Sequence, residues 1–192
     1  KEFHQKLILI FSWKKILDVV TVDEATPIRR LTRGYRSTKP ILEYASRLLP
    51  KGARALDAFQ HGGVAPAIVS ARPKELATAV VAEVDRLTAV YSTGTVAVIS
   101  VHPDGVRKAL RGRGWASLSV DAKHWQRNGT KIRVLEPDAA RGLEFDAVIV
   151  MEPADFPKNY GRQGPLYTAL TRGNRELSVV HAKALPASLR RR

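Results

Sequence analysis

The chain has 192 residues, 44% of them hydrophobic and 7% aromatic, the make-up of one ordinary globular domain, with no apolar run near the roughly 20 residues a membrane span needs. It has no cysteine, which excludes a disulfide framework and thiolate metal sites, and its histidines (His4, His61, His102, His124, His181) lack close metal-ligand spacing. The 32 Lys and Arg against 18 Asp and Glu give a net charge of +14, which points to a polyanionic partner, nucleic acid first.

The basic residues are spread out, at Lys14-Lys15, Arg29 to Arg33, Arg107 to Arg113 and Arg190 to Arg192, without the repeated aromatic interleaving of a single-strand binder. No charged segment followed by an apolar stretch and a small-residue cleavage site opens the chain, so a cytoplasmic location and no membrane partner are expected.

In chain order, 7–11 (LILIF) reads equally as a strand or as the buried turn of a helix, since periodicity cannot decide over so short a run. A helix is expected over 38–49, ending before Pro50-Lys51-Gly52, with Ser37 or Thr38 as its N-cap. The stretch 50–66 is loop-like. From residue 64 onward, short apolar runs alternate with amphipathic stretches, the pattern of a parallel α/β sheet with crossover helices. Strands are placed at 67–71, 95–100, 131–135, 147–151 and 177–181, rich in Val and Ile as buried parallel strands should be. A helix is predicted over 73–91, where Leu76, Val80, Val84, Leu87 and Tyr91 share one face and Pro73 suits the first turn. A further helix is expected over 102–111, stopping at Gly112, and a short one from Pro165 that stops at Gly173 with Arg172 at its end. The last seven residues read as a frayed basic tail.

No G-x-x-x-x-G-K-[ST] loop occurs, and no apolar strand ends in paired acids that would hold magnesium and a catalytic water. An independent triphosphate site is therefore absent from the sequence. A nucleophile elbow is absent too, so acyl-transfer hydrolysis has no support. Arginines at element edges remain. In Thr32-Arg33-Gly34-Tyr35-Arg36-Ser37-Thr38, the Tyr35 ring offers a stacking surface and the Arg36 guanidinium a fork for phosphate oxygens, although on these residues alone a surface arginine beside a half-buried tyrosine is the preferred reading. In Asp138-Ala139-Ala140-Arg141-Gly142-Leu143-Glu144-Phe145-Asp146, a polar turn precedes a buried strand, and Gly142 permits close backbone approach. In Pro165-Leu166-Tyr167-Thr168-Ala169-Leu170-Thr171-Arg172, the terminal arginine is presented where the helix stops or caps its carbonyls.

In this order the three segments resemble motifs IV, V and VI of superfamily 1 helicases of the UvrD and Rep type. The motifs appear as Tyr35-Arg36-Ser37, Ala140-Arg141-Gly142-Leu143-Glu144-Phe145 and Leu166-Tyr167-Thr168-Ala169-Leu170-Thr171-Arg172. The resemblance spans about 12–186 and implies the second RecA-like domain, P-loop NTPase-like but without a Walker A motif. It divides the chain into 1–25, a segment joining an absent first motor domain, 26–186, the RecA-like domain, and 187–192, a basic tail. It also implies that Tyr35 stacks on adenine, Arg36 and Arg172 reach the γ-phosphate, Glu144 bonds the ribose, and Gly142 lines the nucleotide. Arg33 and Arg141 are then candidates for contact with DNA, single-stranded or at a duplex junction. ATP and Mg2+ would sit at the interface with the N-terminal RecA-like domain, which would hold most of the magnesium shell. Gln5 stands where motif III would end, but an exposed glutamine is the preferred reading.

The departures are Gly34 for Asn, Gly173 for Ala, Arg141 for Lys, and Glu136-Pro137-Asp138 where the family has T-x-H touching the single strand. Two acids there repel phosphates. The short spacing between motifs IV and V leaves no room for a large inserted subdomain, and the chain is similar to the HelD-type branch, whose ATPase acts on RNA polymerase. The alternative from another class is a non-catalytic module that docks its basic surface on nucleic acid or RNA polymerase and carries vestigial motifs.

Overall fold

A strand covered on both faces needs apolar side chains at every position rather than alternate ones. Strand β4 (Val96–Ile99) meets this requirement with four buried residues in a row. In the computed structural model, which describes residues 33–49, 57–158 and 164–190, all within one compact unit, Thr32–Arg192, β4 lies at the centre of a seven-stranded sheet.

The elements follow in chain order as β1 (Arg33–Thr38), α1 (Lys39–Ser46), β2 (Asp57–Gln60), β3 (Ala67–Ser70), α2 (Leu76–Val90), β4, α3 (Asp104–Gly112), β5 (Ala116–Ser117), β6 (His124–Arg127), β7 (Thr130–Leu135), β8 (Phe145–Met151), α4 (Pro165–Leu170), β9 (Gly173–His181) and α5 (Ala187–Arg190). The large sheet has the order β3-β9-β8-β4-β7-β6-β5. The five strands from β3 to β7 in that order are parallel, and β6 and β5 continue the sheet antiparallel. Strands β1 and β2 form a separate parallel pair.

Alternate residues of the central strands serve two cores. Ala97, Ile99, Val148, Val150, Leu177 and Val179 pack with α1, α4 and α5 through Ile41, Tyr44, Leu166, Leu170 and Leu189. Val96, Val98, Ala147 and Ile149 face α2 and α3 through Val80, Val84, Leu87, Val106 and Leu110, with Trp115 and Trp125 closing that side. Each fully buried Leu, Ile or Val contributes about 1.5–3 kcal/mol, so the sheet and its two helical layers carry the fold.

The five expected strands all form, with shifted ends. The strand expected at 67–71 is an edge strand whose alternate residues are half-exposed. The helix expected over 73–91 begins as a 3₁₀ turn at Pro73–Glu75 before α2. Helix α3 runs through Gly112; the residue that turns left-handed is Gly114, at φ +80°. The amide of Gly114 donates to Arg111 O at 3.1 Å and that of Trp115 to Leu110 O at 3.0 Å, the two bonds of a Schellman cap.

Gly173 does not end the short helix. Helix α4 stops at Leu170, and Gly173 opens β9, where the step from Phe145 to Ala147 on β8 is matched by the one-residue-longer step from Gly173 to Glu176 on β9 in a bulge. A Cβ on Gly173 would lie 2.8 Å from Glu176 O. The residue is therefore glycine because the backbones approach closely. The tail expected to fray is helical through Arg190, and Leu189 is buried.

Also not expected were β1, β2, which lies within the stretch read as loop, and the β5–β6 ribbon. The hairpin from β6 to β7 turns on Asn128 and Gly129, at φ 50° and 82°, the dipeptide that favours such a turn. The readings of Gln5, 7–11, the Pro50-Lys51-Gly52 stop, the domain segment 1–25 and the basic clusters before Arg33 lie outside the described residues. Among the described residues no helix is long and apolar enough to cross a membrane.

Candidate functional site

The motif residues converge on one edge of the sheet. Glu144 immediately precedes β8 and Arg172 immediately precedes β9, and the amide of Phe145 donates to Arg172 O at 3.0 Å, which locks the two strand entrances together. Strand β1 is brought to the same place by Ser37, whose Oγ donates to Thr171 O at 3.3 Å. That bond replaces the helix cap expected of Ser37. Thr38 occupies the N-cap position of α1 but makes no capping bond.

Across this junction the Arg36 guanidinium donates through Nε to Glu144 Oε1 in an ion pair. Both side chains are close to half-exposed, at 39% and 45%, and a pair so solvated is worth only about 0–1 kcal/mol. It is therefore readily exchanged for another anion. Arg172 is held differently. It is 9% exposed, and its Nε and Nη1 donate to Thr168 O at 3.1 Å and Leu143 O at 3.2 Å. These bonds fix the plane of the guanidinium and leave its Nη2 end uncommitted to either carbonyl. Burial, chiefly, and then the nearby Arg36 lower the Arg172 pKa, while Glu144 raises it. A cation that has shed water and sits beside a second cation gains most from an arriving polyanion.

Tyr35 stands on β1 with its side chain 63% exposed, a flat ring open to a stacking partner. Gly142 takes φ +76° with open space where a Cβ would stand. The backbone conformation of the turn, rather than crowding within this chain, calls for glycine there. Arg36, Glu144 and Arg172 thus form one cluster, with Tyr35 next to Arg36 on β1.

Two further residues were read as nucleic-acid contacts. Arg141 is exposed and bonded to Asp138 at 2.9 Å. Arg33 opens β1 opposite Asp57, with its side chain outside the described residues. Glu136 meets Arg107 at 3.4 Å. Each acid of the Glu136-Pro137-Asp138 stretch thus has a cation beside it, which weakens the repulsion of phosphates expected from their charges alone.

The cluster fits a nucleotide, with an open ring for a base, two guanidinium groups for phosphates and a carboxylate able to accept from a sugar hydroxyl. It does not offer a magnesium site. No group of three His, Cys, Asp or Glu poised for a metal occurs among the described residues, and Glu144 is the one acid of the cluster.

The cluster lies at the N-terminal ends of β8 and β9, whereas a doubly wound sheet binds its own ligand beyond the C-terminal ends. That opposite edge is closed at these strands by Glu152. Its backbone is left-handed at φ 51°, and its buried carboxylate accepts from the amides of Ala182 at 3.0 Å and Lys183 at 3.2 Å.

Phe59 and Gln60 beside the cluster went unread in the sequence because they belong to a four-residue strand inside an apparent loop. Ala58 alone is buried in Asp57-Ala58-Phe59-Gln60, so no alternation marks the strand in the sequence.

No protein-family model and no curated protein matches the chain. Among solved structures, it is similar to the C-terminal domain of a possible DNA helicase from Lactobacillus plantarum, with 26% identity, 82% of this chain and 93% of that one covered, and a TM-score of 0.61. Fainter likenesses link it to the large terminase of a thermophilic bacteriophage (11% identity, TM-score 0.45, 75% of this chain and 37% of that one). The ATPase domain of a Thermus phage large terminase is also similar (18% identity, TM-score 0.37, 64% and 61% covered). The chain is an α/β domain of the RecA-like kind, a mixed seven-stranded sheet between helices, in the fold of a helicase C-terminal domain.

Proposed function

We propose that this domain is the C-terminal motor half of a superfamily 1 DNA helicase-like ATPase. In this reading it closes on ATP bound at an interface with an N-terminal RecA-like domain. The observation that carries the reading is the convergence of Arg36, Glu144 and Arg172 on the N-terminal edge of β8 and β9, with Tyr35 beside Arg36 on β1. A self-sufficient nucleotide domain would use the other edge; an edge that presents arginines and no phosphate loop is suited to face a ligand held elsewhere.

Bound ATP supplies a γ-phosphoryl group whose transfer to water spreads negative charge over its oxygens. Arg172, fixed by two main-chain carbonyls, presents Nη2 to that charge without first having to be ordered. Arg36 leaves Glu144 for phosphate oxygens at small cost, because the pair it gives up is half-solvated. Glu144, released, accepts from a ribose hydroxyl. Tyr35 covers one face of the base. The catalytic role of the arginines is electrostatic, and a finger of this kind contributes about 10³ to 10⁵ in rate. Magnesium enters with the nucleotide and the other half.

Nucleic acid is the polymer the surface favours. Lys108, Arg113, Lys131 and Arg133 carry no acidic partner among the described residues, and they lie on or beside α3 and on β7, where a phosphate backbone can replace counterions. The resemblance to the RNA polymerase-associated branch rests on the motif sequences alone.

The test is steady-state ATP hydrolysis by the complete protein carrying Arg172→Ala or Arg36→Ala. Both should lose turnover by orders of magnitude while nucleotide affinity changes less. Normal hydrolysis by both variants would replace this reading with that of a binding module.

A further inference from the structure

Phe59 is 58% exposed beside Tyr35 at 63%. Their ring centroids are 5.4 Å apart and their planes tilted by 33°, on the adjacent parallel strands β2 and β1. An aromatic pair of this size gains little stability while its outer faces stay in water, and exposed apolar surface gathered in one place marks a binding site. Tyrosine has a hydroxyl that justifies exposure; phenylalanine has nothing polar to offer water.

The next residue adds direction. Gln60 Nε2 donates to Tyr35 O at 3.4 Å and to Arg36 O at 3.2 Å. Both partners are carbonyls and can only accept, so the amide must turn its nitrogen toward β1. The two N–H groups are then used, and Oε1 remains an exposed acceptor that no donor among the described residues fills. A side chain clamped in this way also fixes the strand segment that bears Tyr35 and Arg36.

We propose that β2 completes a nucleobase seat, in which Phe59 extends the stacking surface of Tyr35 and Gln60 Oε1 accepts from the exocyclic amine of adenine. The proposal rests on the nucleotide reading of Tyr35, Arg36, Glu144 and Arg172 and adds two residues, Phe59 and Gln60, that select its base. Adenine presents an N6 amine as a donor, whereas guanine presents O6, an acceptor, at the corresponding position. Two acceptors face to face repel, so the arrangement favours ATP over GTP. The selection falls on affinity rather than on the chemical step, because the base lies far from the transferring phosphoryl group.

Calorimetric titration of the complete protein with ATP, GTP and inorganic tripolyphosphate separates base from phosphate contributions. ATP should bind more tightly than GTP. Phe59→Ala should weaken ATP about fivefold, the loss of one aromatic contact, and leave tripolyphosphate unchanged, with Phe59→Trp restoring the affinity. Gln60→Leu should bring ATP and GTP close to equality. Melting curves of all variants, whose substitutions are at exposed positions, verify that the fold is kept.

Unchanged ATP binding in Phe59→Ala, or an unchanged preference for ATP in Gln60→Leu, overturns the base seat. If Tyr35→Ala still weakens ATP alone in that case, the nucleotide site itself stands. If Tyr35→Ala and Arg172→Ala also leave binding and turnover untouched, the nucleotide reading falls together with the base seat.

Discussion

Arg36 and Glu144 are 108 positions apart in the chain and meet as an ion pair where β1 crosses the entrance to β8. The pair puts a cation and an anion of comparable exposure at the point where the nucleotide is proposed to enter, with Arg172 fixed alongside by Thr168 O and Leu143 O. Their different anchoring predicts different behaviour on substitution.

In the complete protein, Arg172→Ala should lower kcat by about 10³-fold or more, with a smaller change in KM. Arg172→Lys should fail to restore the rate, because an ammonium cannot hold both carbonyls and still present a donor in the same plane. Glu144→Gln should tighten phosphate binding at Arg36 while weakening the ribose contact, so affinity for tripolyphosphate rises relative to ATP. Initial-rate kinetics and titration with the two ligands check both statements, and a Lys variant with full activity would refute the fixed-fork argument.

The 192-residue chain alone should not turn over ATP. Its arginine edge has no phosphate loop opposite it and no acidic cluster for magnesium among the described residues. Phosphate release by contaminant-free protein, followed over hours at saturating Mg-ATP, is the measurement. Sustained turnover would contradict the half-site reading.

Two glycines separate steric from conformational demands. Gly173→Ala puts a methyl 2.8 Å from Glu176 O, a backbone atom that cannot swing away, and should destabilise the domain by about 1–3 kcal/mol. Gly112→Ala meets nothing within 4 Å and lies at the end of α3, so stability should be unchanged or rise by up to about 1 kcal/mol. Urea denaturation of the two variants decides. Equal effects would mean that the close approach at the β9 bulge does not constrain the residue.

Binding of this domain to nucleic acid should be weak, indifferent to sequence and strongly weakened by salt, because its unpaired cations can neutralise phosphates while no base-reading element is present among the described residues. Titrations of one oligonucleotide at two salt concentrations test this, and affinity that ignores salt would remove the electrostatic explanation. In the complete protein, Glu136→Thr with Asp138→His should improve unaided unwinding only modestly. Arg107 and Arg141 already offset those acids. A strand-separation assay with fluorescent duplex measures the gain.

The fold class was legible because the sheet is buried on both faces, and burial leaves a local trace. Val96-Ala97-Val98-Ile99 and Ala147-Val148-Ile149-Val150 are apolar at every position, and α2 repeats its apolar residues at helical spacing. The four candidate site residues were named through motif resemblance; Glu144 and Arg172 each lie next to the start of a strand. Only the tertiary structure decided what those boundaries do. Gly173 looked like a helix stop because local sequence cannot show Glu176 O folding back over it. Ser37 looked like a cap because its partner, Thr171 O, lies 134 positions away. Strand β2 was read as loop because four residues carry too little pattern, and its pairing with β1 exists only once the chain has folded. The edge on which the arginines gather was likewise set by strand order, a property of long-range pairing. What is periodic and local in this protein was determined by sequence alone; contacts between distant segments, whose energies depend on the assembled sheet, decided the rest.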